Sequence, residues 1–439
     1  MIAIAVLMVM GVVACVQPAI GLLFFALLAS YSDGRAFFEI LSADFSYFNI
    51  VSRVIFFSML ILCFIKCVQS WRKFIPLERM AVGSAWAIIF LMFITGMFKG
   101  LDPLRALLVT IFSPLPAFVI WLTYGRQPIF RKLLIGYVCV QILLACLVIQ
   151  FPTFDFLNAA NYVALSDSDG ATPLNSQAID FANLDKLALG KYAQFHNPNA
   201  LGFYAAIALA FGIGGLLATR TTGGFVLSLS LSVAGVFCWF HSYTRGPLIG
   251  IAVGVLLFII YTLFRKKAKI SSYFFAISGL ILGIGFGGYL GIFSYLIPDA
   301  SNVSVSARVV GYLNGINIFL EHPLLGGPTG WGNNIVYPHL LPLAYAAEYG
   351  LFVGLLNFFW LFILMPYAIW VKGRGFSTPG GATRVFLYLS IAGIALTNNV
   401  AAAEIFGICL AQLLVEICQS RRAVARTQVP QLSSQTVAV

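Results

Sequence analysis

Long apolar segments recur along the chain from the first residue to Cys418, and short segments between them hold most of the charged residues. A helix of roughly 20 apolar residues spans the hydrocarbon core of a membrane, so each such segment predicts a transmembrane helix. The predicted spans are 2–30, 50–69, 79–98, 103–123, 131–151, 199–218, 223–240, 246–264, 271–294 and 346–371, followed by the stretch 383–417.

Two of these segments are longer than an ordinary span. Residues 2–30 contain Pro18 and are predicted to form a single Pro-interrupted span, which is retained because the first residues lack the Lys or Arg of a signal peptide. The polar pair Asn398-Asn399 divides 383–417 into two short helices. The pattern thus predicts an all-α integral membrane protein with about twelve transmembrane helices, in which residues 1–418 form a single polytopic domain.

The composition supports a membrane protein over a soluble one. Hydrophobic residues make up 60% of the chain, charged residues 9%, and the mean hydropathy is +0.94. The net charge of +11 is not gathered into one soluble domain, so it does not indicate nucleic-acid binding. The eight cysteines lie in or beside apolar segments and show neither a disulfide framework nor metal-ligand spacing.

The segments between the predicted spans fall into two sets that differ in charge. Every member of one set is net positive: 66–80, 124–132, 219–222, 265–270, 372–384 and the segment from residue 418. The other set is net negative as a whole: 31–49, 99–105, 152–198, 241–245 and 295–345. Because Lys and Arg concentrate in cytoplasmic loops, the basic set is predicted to be cytoplasmic, with both termini inside.

The two long loops, 152–198 and 295–345, are therefore predicted to lie outside. All four histidines, His196, His241, His322 and His339, fall on the same side. Residues 419–439 are predicted to form a disordered, basic cytoplasmic tail.

Three external segments resemble helix starts, which attract anions through their unpaired N–H groups. In QFHNPNALGF, Asn197 suits an N-cap and Pro198 the first helical position. Arg245 precedes the Gly-Pro that opens another helix, and Arg308 falls in the first two turns of an amphipathic helix that Pro323 and two glycines end. Arginine binds phosphate oxygens in a bidentate way, so Arg245 and Arg308 are candidates for an anion site. The alternative is that both are ordinary interfacial arginines.

His339 is the candidate general base, because a neutral imidazole can accept a proton from a hydroxyl near pH 7. The preceding loop GGPTGWGNN holds four glycines, Trp331 with a face suited to a sugar ring, and Asn333-Asn334 suited to hydroxyls. The alternative is a histidine that only caps a helix or hydrogen-bonds a loop carbonyl. A general base, a pair of arginines suited to an anion and a surface suited to a sugar ring together favour glycosyl transfer from a phosphate-linked donor.

Four motifs in order resemble the O-antigen ligase and polymerase superfamily: HNPNALGF, YTRGPLIG, ARVVGYLNGINIFLEHPLLGGPTGWG and PHLLPLAYAAEYGLFVG. The resemblance covers roughly residues 190–360. It implies a membrane-embedded, lipid-carrier-dependent glycosyltransferase of GT-C-like architecture in the bacterial inner membrane. Such an enzyme acts at the periplasmic face by inverting, metal-independent transfer and needs no cofactor. One departure is that Leu340 follows His339 where the family often has asparagine, so Asn333 or Asn334 is a candidate substitute.

The resemblance also implies site residues and partners. His339 is the implied base, Arg245 and Arg308 the pyrophosphate clamp, and Glu348 matches a family acid that either orients the site or fixes the fold. Further substrate-binding or supporting candidates are Lys191, His196, Asn197, His322, Trp331 and Asn333. The donor is expected to be a glycan on undecaprenyl pyrophosphate, and the acceptor the lipid A–core oligosaccharide.

Other functions stay open at this point. A polymerase that extends lipid-linked repeats, or a protein O-oligosaccharyltransferase, uses the same chemical groups, and acceptor choice is not readable from the motifs. A transporter of the lipid-linked glycan is the alternative from another class. Transporters tend to place ionisable residues at mid-membrane and to contain internal repeats. Here the ionisable residues gather at one surface, Glu404 near an external helix end is the main candidate exception, and the sequence shows no clear repeat.

Overall fold

A computed structural model of the chain is all-helical over the residues that it describes. These residues are 2–30, 45–103, 106–107, 110, 113–150, 198–242, 246–264, 303–327, 340–378, 380–397 and 403–428. The predicted span 271–294 and nearly all of the loop 152–198 lie outside them.

Most of the helices that fall in predicted apolar segments begin and end close to the bounds of those segments, and the helix Val303–Glu321 lies in the predicted loop 295–345. The helices are α1 (Ile2–Val16), α2 (Pro18–Ser30), α3 (Phe45–Ser70), α4 (Pro76–Phe98), α5 (Pro114–Tyr124), α6 (Pro128–Gln150), α7 (Pro198–Ala218), α8 (Thr222–Ser242), α9 (Gly246–Phe264), α10 (Val303–Glu321), α11 (Leu341–Tyr349), α12 (Leu351–Phe358), α13 (Gly381–Thr397) and α14 (Ala403–Gln428). Beyond Phe358, α12 continues through two π-helical segments to Lys372.

Six helices among the described residues are long and apolar enough to cross a membrane. They cover Arg53–Lys73, Pro76–Phe98, Pro128–Leu147, Ala200–Ala218, Thr222–Ser242 and Leu351–Ser377. Shorter apolar helices, such as Pro114–Tyr124 and Gly381–Ala395, pack among them. The fold is that of an all-α integral membrane protein, and the count of twelve spans stays a prediction.

The predicted first span is two helices joined at a sharp bend. The bend lies at Gln17, because Pro18 has no N–H to continue the helical hydrogen bonding. A Cβ placed on Gly21 would come within 2.6 Å of the Cα of Ala14, seven residues earlier, so α2 folds back against α1.

The prediction of one span over 103–123 needs correction. Ser113 has an extended backbone, with φ −78° and ψ 158°, and α5 begins only at Pro114. Proline disfavours helical geometry in the residue before it, which accounts for the break.

The last apolar stretch is two helices, as the polar pair at 398–399 predicts. α13 ends at Thr397 and α14 begins at Ala403. However, α14 continues past Cys418 to Gln428, so the first ten residues of the predicted disordered tail are helical. Arg422 in this extension is held by an ion pair with Glu78, in which Nη2 and Oε2 are 2.6 Å apart.

The core of the bundle is formed mainly by α5, α7, α13 and α14, whose residues are buried on nearly all sides. Small residues let these helices approach closely, as is usual between membrane helices. A Cβ on Gly407 of α14 would lie 2.0 Å from the carbonyl oxygen of Pro114, and one on Gly250 of α9 would lie 2.0 Å from that of Leu389. Around this core, α3, α4, α6 and α8 expose large apolar side chains, as expected of lipid-facing helices.

Charged residues gather at the two opposite ends of α4. At its start, the buried carboxylate of Glu78 accepts ion pairs from Arg126, at 3.2 Å, and from Arg422. Beyond its end, Lys99 lies against α11. The 23 residues of α4 separate these groups by roughly 35 Å along the axis, about the thickness of a membrane. Three of the segments predicted to share the basic side, 66–80, 124–132 and the one from residue 418, therefore meet at one end of the bundle.

Candidate functional site

The centre of the candidate site is the turn that follows α10. Arg308 is the sixth residue of α10, so it lies in the second turn, as the sequence predicts. The helix ends at Glu321, and the N–H of Gly326 donates to the carbonyl oxygen of His322 at 2.8 Å, which closes the turn 322–327.

This turn packs directly onto the end of α11. The N–H of Gly327 donates to the carbonyl oxygen of Ala347 at 2.8 Å, and the N–H of Leu351 donates to that of Pro323 at 2.8 Å. The two motifs HPLLGG and AEYG, which lie about 20 residues apart in sequence, are therefore hydrogen-bonded into one unit.

Two glycines make this close approach possible. Gly326 has φ +74° and Gly350 has φ +86°, a region that side chains other than glycine rarely occupy. A Cβ on Gly350 would lie 2.0 Å from the carbonyl oxygen of Leu324, and one on Gly326 would lie 2.5 Å from the carbonyl carbon of Glu348. This contact accounts for Gly326 in the first motif and for Gly350 in the second.

Glu348 lies at the opposite end of α11 from His339. Leu340 is the N-cap residue of α11, so His339 comes just before the helix, whereas Glu348 is in its last turn. Eight residues from Leu340 to Glu348 give a separation of roughly 12 Å along the helix axis. Glu348 is thus at the end of α11 that contacts the HPLLGG turn, and its predicted role, in orienting the site or in holding the fold, stays a hypothesis.

Lys99 is the group that binds this end of α11. Its Nζ donates a hydrogen bond to the backbone carbonyl oxygen of Glu348 and lies 5.8 Å from the centroid of the Tyr349 ring. Burial lowers the pKa of Lys99 to about 8, and the carboxylate of Glu348 partly opposes that change. The contact ties the first half of the chain to the candidate site.

Tyr345, one turn before Glu348, continues the same cluster into the protein. Burial raises the pKa of its phenol well above the ordinary value, the nearby Glu348 adds to the increase, and the nearby Ser113 opposes it. Ser113 is the residue at the break before α5, so this break places a hydroxyl beside α11.

Most predicted site residues lie outside the described part of the chain. These are Lys191, His196, Asn197, Arg245, Trp331, Asn333 and His339. Their described neighbours agree with the predicted helix starts, since α7 begins at Pro198 and α9 at Gly246. The segment 328–339 runs between Gly327 and Leu340, and both of these residues belong to the unit formed by the turn and α11.

His322 is exposed and comes directly after α10. Its N–H donates to the carbonyl oxygen of Ile318 at 2.9 Å, and its own carbonyl accepts from Gly326. The backbone of His322 thus helps to end α10, and its predicted role in binding substrate stays a hypothesis.

Sequence reasoning missed Lys99, Ser113 and Tyr345 as parts of this cluster. Lys99 is one of the few basic residues in the set of segments predicted to lie outside, and that scarcity was an available signal. Ser113 and Tyr345 gave no signal, because both lie within apolar sequence.

The fold and the site define an all-α membrane protein with a packed motif at one end of the bundle. Residues 230–359 match the family model for O-antigen ligase. The matched region contains Arg245, Arg308 and His339 together with the docked turn, whereas the HNPNALGF element lies before it. No curated protein gives a significant sequence match to the chain.

Proposed function

We propose that this protein is an O-antigen ligase that transfers a polysaccharide from undecaprenyl pyrophosphate to lipid A–core at the periplasmic face of the inner membrane. The family match over residues 230–359 is the observation that carries the proposal. The packing of the HPLLGG turn onto α11 supports it, because that packing joins two motifs of the matched region.

In the proposed reaction, His339 acts on the acceptor. A hydroxyl oxygen of the acceptor sugar attacks the anomeric carbon of the donor, and the proton of that hydroxyl passes to the imidazole. The bond between the anomeric carbon and the pyrophosphate oxygen breaks as the new glycosidic bond forms. Because attack and departure occur on opposite faces, the anomeric configuration inverts.

Arg245 and Arg308 act on the leaving group in this proposal. Two guanidinium groups bind the pyrophosphate oxygens and stabilise the negative charge that develops as undecaprenyl pyrophosphate departs. A pyrophosphate is already a good leaving group, so these cations replace the Mg²⁺ that many glycosyltransferases use. The overall architecture is then GT-C-like, with a lipid-linked donor and an active site at the outer surface of the membrane domain.

The proposed orientation follows from the distribution of charge. The end of the bundle with Glu78, Arg126 and Arg422 faces the cytoplasm together with both termini, and the end with Lys99 and Glu348 faces the periplasm. Residues 152–198 and 295–345 then form the two periplasmic loops, and the second carries the catalytic site. Residues 1–418 act as one membrane domain, followed by a cytoplasmic basic tail.

The test is to identify the product made by the purified protein. It is incubated with a glycan on undecaprenyl pyrophosphate and either lipid A–core or a second lipid-linked glycan, with and without EDTA. We expect glycosylated lipid A–core in the first case, at a rate that EDTA does not change. Extension of the lipid-linked glycan would instead identify a polymerase, glycosylation of an added protein acceptor an O-oligosaccharyltransferase, and movement of the donor across liposomes without transfer a transporter.

A further inference from the structure

A cavity lies at the end of the bundle opposite to Lys99 and Glu348, among α6, α7, α8, α13 and α14. Its volume is about 610 Å³, and all of its lining residues lie in the described part of the chain. The charged residues in the lining are Arg131, Lys132, Arg384 and Glu416. The lining thus holds three cationic side chains and one carboxylate, so it carries a net positive charge.

The single carboxylate is shared between two of these cations. Arg131 Nε lies 3.0 Å from Glu416 Oε1, whereas Arg384 Nη1 lies 4.0 Å from Glu416 Oε2. Gln412 also donates to Glu416, at 3.1 Å. Because the contact with Arg384 is the longer of the two, Glu416 mainly neutralises Arg131 and leaves the charge of Arg384 incompletely neutralised.

Arg384 has an unmet requirement for an acceptor. It is 4% exposed, and its Nη2 donates to Thr378 Oγ1 at 2.5 Å and to the carbonyl oxygen of Gly373 at 3.4 Å. Its Nε is buried with no hydrogen-bond partner. A buried guanidinium donor without a partner is costly, and an anion in the cavity would supply the missing acceptor.

The deeper part of the cavity is apolar. Ile135, Phe211 and Leu231 line it, and each lies two turns or more inside the end of its helix. Leu227 also lines the cavity and is 49% exposed, and its neighbours Phe225, Val226 and Leu229 on α8 are exposed as well. The cavity therefore has cations at its mouth, an apolar interior and an apolar wall continuous with the lipid-facing surface.

We propose that this cavity binds the phosphate headgroup of an anionic membrane phospholipid, with the upper part of an acyl chain against Ile135, Phe211 and Leu231. Basic pockets between membrane helices at the membrane surface suit such headgroups. A free phosphate ion shares the headgroup chemistry, but it makes no use of the apolar interior. The site is separate from the candidate catalytic end, because it lies among residues at the opposite end of the helices.

The proposal is tested with two matched double variants, each of which replaces two neighbouring cationic residues by glutamine. Arg131→Gln with Lys132→Gln removes the two exposed cations of the cavity, whereas Arg72→Gln with Lys73→Gln removes an exposed pair outside its lining. The full-length proteins are reconstituted in nanodiscs with phosphatidylcholine and increasing phosphatidylglycerol, and bound lipid is counted by native mass spectrometry. A parallel arm measures binding of inorganic phosphate to the detergent-solubilised proteins.

We expect phosphatidylglycerol to be retained by the wild type and by the Arg72/Lys73 variant, and its affinity to fall by roughly tenfold to thirtyfold in the Arg131/Lys132 variant. Equal retention by both double variants would overturn the proposal. Binding of inorganic phosphate without selective retention of phosphatidylglycerol would also overturn it, because the site would then be for a free anion. Ile135→Trp, which fills the apolar interior, is expected to reduce lipid retention while the charges stay in place, and unchanged retention there would count against an acyl chain in the cavity.

Discussion

Lys99 donates a hydrogen bond to the backbone carbonyl oxygen of Glu348, a residue 249 positions later in the chain. Lys99 lies outside the region that matches the family model, whereas Glu348 lies inside it. The contact therefore fixes the matched region to a helix from the first half of the chain. It also holds the end of α11 on which the HPLLGG turn packs.

This lysine should make the stability of the protein depend on pH. The pKa of Lys99 is about 8 in the folded protein against an ordinary 10.5, so the unfolded chain binds more protons between these values. The contribution of Lys99 to the free energy of unfolding is therefore at its maximum above about pH 10.5, and it is lost as the pH falls through about 8. We expect the thermal unfolding midpoint of the wild type to rise relative to Lys99→Met as the pH is raised from 8 to 10.

Glu348→Gln is the matched control for that measurement. Removal of the carboxylate takes away the charge that partly opposes the lowering of the Lys99 pKa. In Glu348→Gln, the pH range over which stability rises should therefore begin at a lower pH than in the wild type. A constant difference between wild type and Lys99→Met over this range would show that Lys99 does not titrate there.

Gly350→Ala should destabilise the docked turn. Gly350 combines φ +86° with ψ 178°, and an added Cβ would lie 2.0 Å from the carbonyl oxygen of Leu324. Backbone strain alone costs about 1–3 kcal/mol, and the clash adds to it. Gly100→Ala provides the comparison, because Gly100 has φ +78° but no atom within 4 Å of the added Cβ. The measurement is the unfolding midpoint in detergent, and equal losses in the two variants would mean that the Leu324 contact is unimportant.

His339→Gln tests the proposed base. Glutamine keeps hydrogen bonding but does not accept a proton at neutral pH, and loss of a positioned base typically lowers the rate by about 10²–10⁴. We expect transfer to lipid A–core to fall by this factor while binding of the lipid-linked donor is kept. His241→Gln is the control, because the Nδ1 of His241 is 2.9 Å from the carbonyl oxygen of Phe237 in its own helix. If His339→Gln retains more than about a tenth of normal turnover, His339 only positions substrate.

The proposed clamp is tested by exchange of arginine for lysine. Lysine keeps the positive charge but loses the planar fork that binds two phosphate oxygens, so Arg245→Lys and Arg308→Lys should be nearly as inactive as the alanine variants. Protein level and donor binding are measured beside transfer. Arg220→Lys, at an exposed position between α7 and α8, should behave as wild type. Near-normal transfer by both lysine variants would contradict bidentate binding.

Topology is open to labelling with a membrane-impermeant thiol reagent in intact cells. Ser166→Cys and Ser301→Cys fall in the proposed periplasmic loops, whereas Ala268→Cys and Ser433→Cys fall in proposed cytoplasmic segments. We expect labelling of the first two above the level of the unsubstituted protein, and labelling of the second two only after lysis. Labelling of Ala268→Cys before lysis would reverse the proposed orientation.

The sequence was most informative where a local rule determines structure. Pro198 and Gly246 begin α7 and α9 as predicted, and Pro323 with the glycines that follow it ends α10. These boundaries depend on backbone chemistry within a few residues, so they are readable without tertiary contacts. The separation of basic segments also anticipated that Arg126 and Arg422 meet at one end of the bundle.

Long-range packing is where sequence reasoning reached its limit. The break at Ser113 interrupts a segment whose hydropathy is that of one continuous span, because hydropathy does not register the effect of Pro114 on the residue before it. Neither the meeting of Lys99 with Glu348 nor the cavity around Arg384 follows from any local pattern. Both depend on how helices far apart in sequence cross, and that is set by small side chains at many contacts.

The position of Glu78 has a consequence for the order in which this protein is built. The ribosome makes Glu78 early, yet one of its two cations, Arg422, follows 344 residues later on α14. The same last helix fills the centre of the bundle, where Trp121 of α5 donates to Gln412 at 3.0 Å. Translation thus delivers α5 and α7 of the centre well before α13 and α14. Until α14 is made, Glu78 lacks its ion pair with Arg422, and Trp121 lacks Gln412 as an acceptor.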